Sequence, residues 1–99
     1  MTKFRTTYRS RVIVHGGLKE ATVSIGHGVA HVAFQPALTF IQGMMFAGFE
    51  GKAEIHIERV RVSRVGGLEY VTPHTVHVAT VKNDNVEIGK PMTPAEVTK

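Results

Sequence analysis

Arg9-Ser10-Arg11-Val12-Ile13-Val14-His15-Gly16-Gly17-Leu18 returns as Arg59-Val60-Arg61-Val62-Ser63-Arg64-Val65-Gly66-Gly67-Leu68. Both copies are a basic, β-branched run that meets a Gly-Gly pair and leaves it at leucine. From Arg9 to Thr22, seven of fourteen positions recur at one constant offset, the last being Thr22 as Thr72. Phe4, Tyr8, Val12 and Val14 fall on even positions, and Arg5, Arg9 and Arg11 on odd ones. Alternation of this kind predicts a strand with one basic face. Paired glycines reach positive φ without strain, as a tight hairpin turn demands, so each copy predicts a β-hairpin.

The first return strand is expected to run on from Leu18 through Thr22 to Phe34, with Val23, Ile25, Val29 and Ala33 sharing a face with His27 and His31. Gly26 and Gly28 weaken it and indicate a bulge or a close approach of another backbone. Pro36 suits a first helical position, where its missing N–H costs nothing. A helix is therefore predicted over Ala37 to Phe49. Its apolar residues cover nearly the whole circumference, so one side meets the sheet and the other needs a second partner. Leu38, Ile41, Met44, Met45, Phe46 and Phe49 are the expected contacts of a homo-oligomer.

Lys52 to Val65 reads as a long strand in which Ile55 and Ile57 alternate with Glu54, His56 and Glu58. The apolar phase then shifts to Val60 and Val62, and a bulge near Glu58-Arg59 would reconcile the two. A return strand broken at Pro73 follows, then a turn at Asn83-Asp84-Asn85 and a short strand over Val86 to Ile88. The fold expected is α+β: a mainly antiparallel sheet from two Gly-Gly hairpins flanking one central helix (ββαββ), with a short C-terminal strand. Residues 1–89 would form one domain and residues 90–99 an extended tail.

The chain has 99 residues, with 12 Lys and Arg against 8 Asp and Glu, a net charge of +4. That balance favours solubility and a moderate attraction to polyanions. No cysteine is present, which removes disulfides, thiol nucleophiles and thiolate metal sites. The N-terminal residues lack the continuous apolar core of a signal peptide, and cytoplasmic location is the expectation. The apolar stretch from Pro36 to Phe49 falls short of the ~20 residues that span a bilayer.

Three constellations carry chemistry. Arg5, Arg9 and Arg11, with Arg59, Arg61 and Arg64, would form a cationic stripe suited to phosphate, because guanidinium offers a rigid fork of donors. Few aromatic residues interleave with them, which weighs against a dedicated nucleic-acid reader. Glu54, His56 and Glu58 project to one side of a strand at about 6.6–7 Å spacing, an arrangement open to acid/base or hard-metal chemistry but read first as the wet face of an antiparallel sheet, so no catalytic residue is assigned. His27 and His31, if both on a strand, lie about 13 Å apart, too far to share an ion within one chain. His15, His74 and His77 are read as structural or interfacial, with His74 and His77 on opposite faces. Ser10, Ser24 and Ser63 lack the context of an activated nucleophile. No motif calls for a cofactor.

The sequence thus points to a small non-enzymatic binding or assembly protein that acts as a homo-oligomer, with an arginine-bearing sheet face meeting an anionic partner. A nucleic-acid-binding module is the alternative. A small enzyme or metal protein built on Glu54, His56 and Glu58 is a third reading.

Overall fold

The computed structural model describes residues 4–15, 20–28 and 30–93, with the backbone alone for Phe4, for 20–27 and for His31. Gly16-Gly17 and the last six residues of the predicted tail lie outside the described residues. In chain order the elements are β1 (Phe4–Val14), β2 (Glu20–His27), α1 (Ala30–Phe46), β3 (Gly51–Ser63), β4 (Glu69–Lys82) and β5 (Asn85–Ile88). The strands form one antiparallel sheet in the order β2-β1-β3-β4-β5, and α1 packs on one face of it. The architecture is α+β.

The core lies under the helix. Ala33, Ala37 and Ile41 from α1 meet Val12 from β1, Ala53, Ile55 and Ile57 from β3, and Ala79 and Val81 from β4, all of them buried. Each buried Val or Ile contributes roughly 1.5–3 kcal/mol relative to an exposed one. Small alanines on the helix and larger β-branched residues on the strands let the two layers approach closely.

The helix begins at Ala30, seven residues before the expected start at Ala37, and Pro36 lies inside it. Residues 30–34 are therefore helix, and the first return strand ends at His27. Val23 and Ile25 do lie on β2, whereas Ala33, expected on the same strand, belongs to the helix, and Val29 lies outside the described residues. Ala30, Ala33, Phe34, Ala37 and Ile41 recur at the 3–4 residue spacing of one helical stripe, and every one of them packs in or against the core. Pro36 removes one intrahelical hydrogen bond, a local cost that the buried stripe offsets. His27 and His31 accordingly stand on different elements.

The expected bulge near Glu58-Arg59 is found in the pairing of β3 with β4, between Ile57 and Glu58, with its extra residue on β4 rather than on β3. The β1–β3 register runs without a break from Phe4 opposite Ser63 to Val14 opposite Ala53. The irregularity is on β4, where pairing passes from Ile57 with Thr75 to Glu58 with Pro73 and leaves His74 as an extra residue. Pro73 cannot donate to a ladder, so the bulge sits where the sequence already interrupts the pairing. One extra residue also turns His74 to the helix-bearing side. Its ring stands edge-on to Tyr8 at 5.5 Å, while His77 stands 4.8 Å from Phe34 of the helix. The two histidines share a face.

Lengths decide the outline of the molecule. A helix of 17 residues spans about 25 Å, whereas the 13-residue β3 extends about 44 Å. Half of the long hairpin must therefore outrun its cover, and the molecule measures 50 × 28 × 23 Å. β2 pairs with β1 only from Tyr8 to Ile13, and β5 pairs with β4 only from Ala79 to Lys82. Beyond them, residues 4–7 of β1, 59–63 of β3 and 69–72 of β4 project as a three-stranded arm.

Candidate functional site: an ion-pair row and a basic arm

Because Arg9 stands opposite Glu58, every odd residue of β1 faces an even residue of β3. On the sheet face away from α1, Arg9, Arg11 and Ile13 are thus interleaved with Glu58, His56 and Glu54. Glu58 accepts a hydrogen bond from Arg9 Nε at 2.7 Å, and Arg11 Nε lies 3.1 Å from the same oxygen. Its side chain is 10% exposed, so this carboxylate is largely withdrawn from water between two guanidinium groups. Glu54 holds two rings: His15 Nε2 is 2.5 Å from Oε2 and His56 Nε2 is 2.9 Å from Oε1. An ionised carboxylate only accepts, so both rings present Nε2–H to it.

Desolvation works against the Glu54 carboxylate, yet hydrogen bonds from His15 and His56 and the charge on those rings prevail and hold its pKa below the usual 4.5. A carboxyl whose pKa is lower folded than unfolded stabilises the fold above its unfolded pKa and loses that contribution as pH falls through the folded value. Denaturant titrations at about pH 5.5 and about pH 3 should show a smaller acid-induced loss in Glu54→Gln than in the native chain. Equal losses would mean that the two histidines do not tie Glu54 down.

The candidate trio Glu54, His56 and Glu58 therefore splits into two satisfied groups. Glu54 and Glu58 are four residues apart on one strand, about 13 Å, and each carboxylate is engaged by basic side chains. Among the described residues no group of three or more His, Asp or Glu has the geometry to hold a metal ion. The cluster is built as a row of ion pairs at Glu58 and histidine hydrogen bonds at Glu54 that fixes β1 against β3.

The six arginines do not form one stripe. Arg5, Arg9 and Arg11 lie on the face away from the helix, whereas Arg59, opposite Tyr8, and Arg61, opposite Thr6, lie on the other. Distance from the turn sorts them more usefully than face. Arg5 pairs with Val62 at the outer end of β1, so Arg5, Arg59, Arg61 and Arg64 all belong to the arm, and all four are exposed. Against them among the described arm residues stands one carboxylate, Glu69.

The turn that ends the arm is tightly specified. Ser63 N–H donates to the Leu68 carbonyl at 2.8 Å, and the Ser63 hydroxyl donates to the Val65 carbonyl at 2.7 Å. Gly66 and Gly67 carry φ of 87° and 67°, which an L side chain rarely adopts. Held in that turn, Val65 is 81% exposed and Leu68 61%, with Tyr70 and Val71 exposed behind them. This apolar tip is absent from the site expected from sequence. Its signal was present in Val65 and Leu68 flanking the glycines, but only the short helix reveals that they stay exposed among the described residues.

The predicted oligomer contacts are divided by burial. Ile41 is fully buried, Met45 and Phe49 pack against the core, Leu38 and Met44 are half-buried, and Phe46 is 83% exposed. A separate groove of about 460 Å³ opens between α1 and β4, lined by Phe34, Gln35, Ile57, Thr75, His77 and Pro91 among others. Neither the ion-pair row nor the arm contributes to it. No helix is long and apolar enough to cross a membrane among the described residues.

Comparison with protein-family models, curated proteins and solved structures finds no match.

Proposed function

We propose that this chain is a non-enzymatic binding or assembly protein whose projecting β-arm is its working end, presenting arginine and apolar side chains to an anionic partner. The observation that supports it is the gathering of four of the six arginines identified from sequence, with one opposing carboxylate, on a part of the sheet that the helix leaves bare. Arg9 and Arg11 share Glu58 and serve the fold. An electrostatic partner should release with salt as counterions return.

Chromatography on immobilised dextran sulfate tests this reading. Arg59→Gln/Arg64→Gln should elute at clearly lower salt than Lys82→Gln/Lys90→Gln, which removes the same charge from residues outside the arm. Equal shifts would reduce the interaction to net charge and contradict the proposal.

Self-association is the second part of the reading, and Phe46 supports it. From Ala30 to Phe46 the helix holds no Asp, Glu, Lys or Arg, so its outer ridge, with Val32, Phe40 and Phe46 exposed, is uncharged and self-complementary. Phe46→Asp should lower the native mass to that of a monomer. An unchanged mass would rule this ridge out as the contact.

A further inference from the structure

We infer that the anionic partner of the arm is a phospholipid surface, with Val65 and Leu68 entering the boundary between headgroups and acyl chains. The inference rests on the arm being the binding surface and names what it binds. Three features carry it together.

The most exposed aliphatic side chains of the arm are at its extreme end. Val65 and Leu68 flank Gly66-Gly67, so they are the first groups to meet any flat surface that the arm approaches. The Ser63 hydrogen bonds hold the turn closed, which presents the pair as a preformed wedge rather than a loose loop.

Charge is layered behind that wedge. Arg64 is adjacent to Val65, and Arg61 and Arg5, the latter opposite Val62, stand within about 13 Å along the strands. The headgroup layer on each side of a bilayer is about 5–8 Å deep and the Debye length is about 8–10 Å, so these cations fall in or just above the anionic layer while the tip is inserted. Basic residues at that depth are drawn to anionic lipid, and aliphatic insertion adds to the attraction. Tyr70, exposed between tip and sheet, has the apolar body and polar end favoured at that interface.

The alternatives fit less well. A single nucleic-acid strand is bound by stacking on successive flat rings, and the arm sets one exposed ring, Tyr70, behind two aliphatic side chains at its tip. A second copy docking tip to tip would bring like-charged ends together.

Sedimentation with vesicles decides the matter. The native chain should co-sediment with mixed phosphatidylcholine–phosphatidylserine vesicles and not with phosphatidylcholine alone, and salt should weaken the binding. Val65→Ser/Leu68→Ser leaves charge unchanged. It should bind the mixed vesicles at least ~10-fold more weakly while its elution from dextran sulfate shifts far less than that of Arg59→Gln/Arg64→Gln. Circular dichroism matching the native chain would confirm that this variant is folded. Undiminished vesicle binding by the serine variant would overturn the insertion. Binding to a DNA duplex without binding to vesicles would overturn the lipid assignment and leave the anionic reading standing. If instead Arg59→Gln/Arg64→Gln shows no arm-specific effect on dextran sulfate, the broader reading is what fails.

Discussion

Glu58→Ala is expected to cost about 2–4 kcal/mol of stability, because two guanidinium groups lose the carboxylate they share. Arg9 and Arg11 side chains are 28% and 23% exposed, so water restores only part of what is removed. Glu58→Gln should cost less, since the amide oxygen still accepts from Arg9 Nε while the charge is lost. Glu87→Ala, an exposed carboxylate on β5, serves as the control and should stay within about 0.5 kcal/mol of the native chain. Equilibrium urea unfolding gives all three values. A cost for Glu58→Ala no larger than the control would place Glu58 among the solvated surface charges and reopen a chemical role for it.

Ile55→Ala should be at least as damaging, at about 2–5 kcal/mol, with the midpoint temperature falling by some 10–25 °C. Ile55 is fully buried in the cluster that joins Val12, Ala37 and Ile41, and the neighbouring alanines on helix and strands cannot extend to refill the space. Val65→Ala, at the exposed tip of the same hairpin, is expected to move stability by less than about 0.5 kcal/mol. A small cost at Ile55 would mean that α1 does not lie over the middle of β3, and the bare arm would lose its physical basis.

The sheet was readable from sequence because its signals are local. Alternation along Phe4 to Val14 and Lys52 to Ile57 is a property of each strand alone. Gly26 does lie in β2, beside a register shift against β1, but the helix start is hidden because Gly28 resembles a further interruption of that strand and Pro36 a helix opening, while the stripe from Ala30 to Ile41 rests on small alanines that carry little hydrophobic signal. The phase change after Ile57 was visible, but its repair was assigned to β3 when the extra residue is His74 of β4.

The candidate site was legible by residue and not by grouping. Whether Arg9 shares a face with Arg59 or with Glu58 depends on cross-strand register, and a slip of one residue would move every β3 side chain to the other face. No single strand contains that information. The register observed sets carboxylates between Arg9, Arg11 and the histidines, and leaves the remaining arginines to the arm. The apolar tip was hidden for a different reason: its exposure follows from a 17-residue helix lying on a 13-residue strand, a comparison of lengths rather than of patterns.

The most direct test of the arm as the working end is a backbone amide NMR titration of the 99-residue chain with soluble dextran sulfate. Shifts concentrated in residues 4–7 and 59–72, with 9–13 and 54–58 unmoved, are the expected result. Shifts centred on Arg9, Arg11 and His56, with the Gly66-Gly67 turn silent, would contradict it.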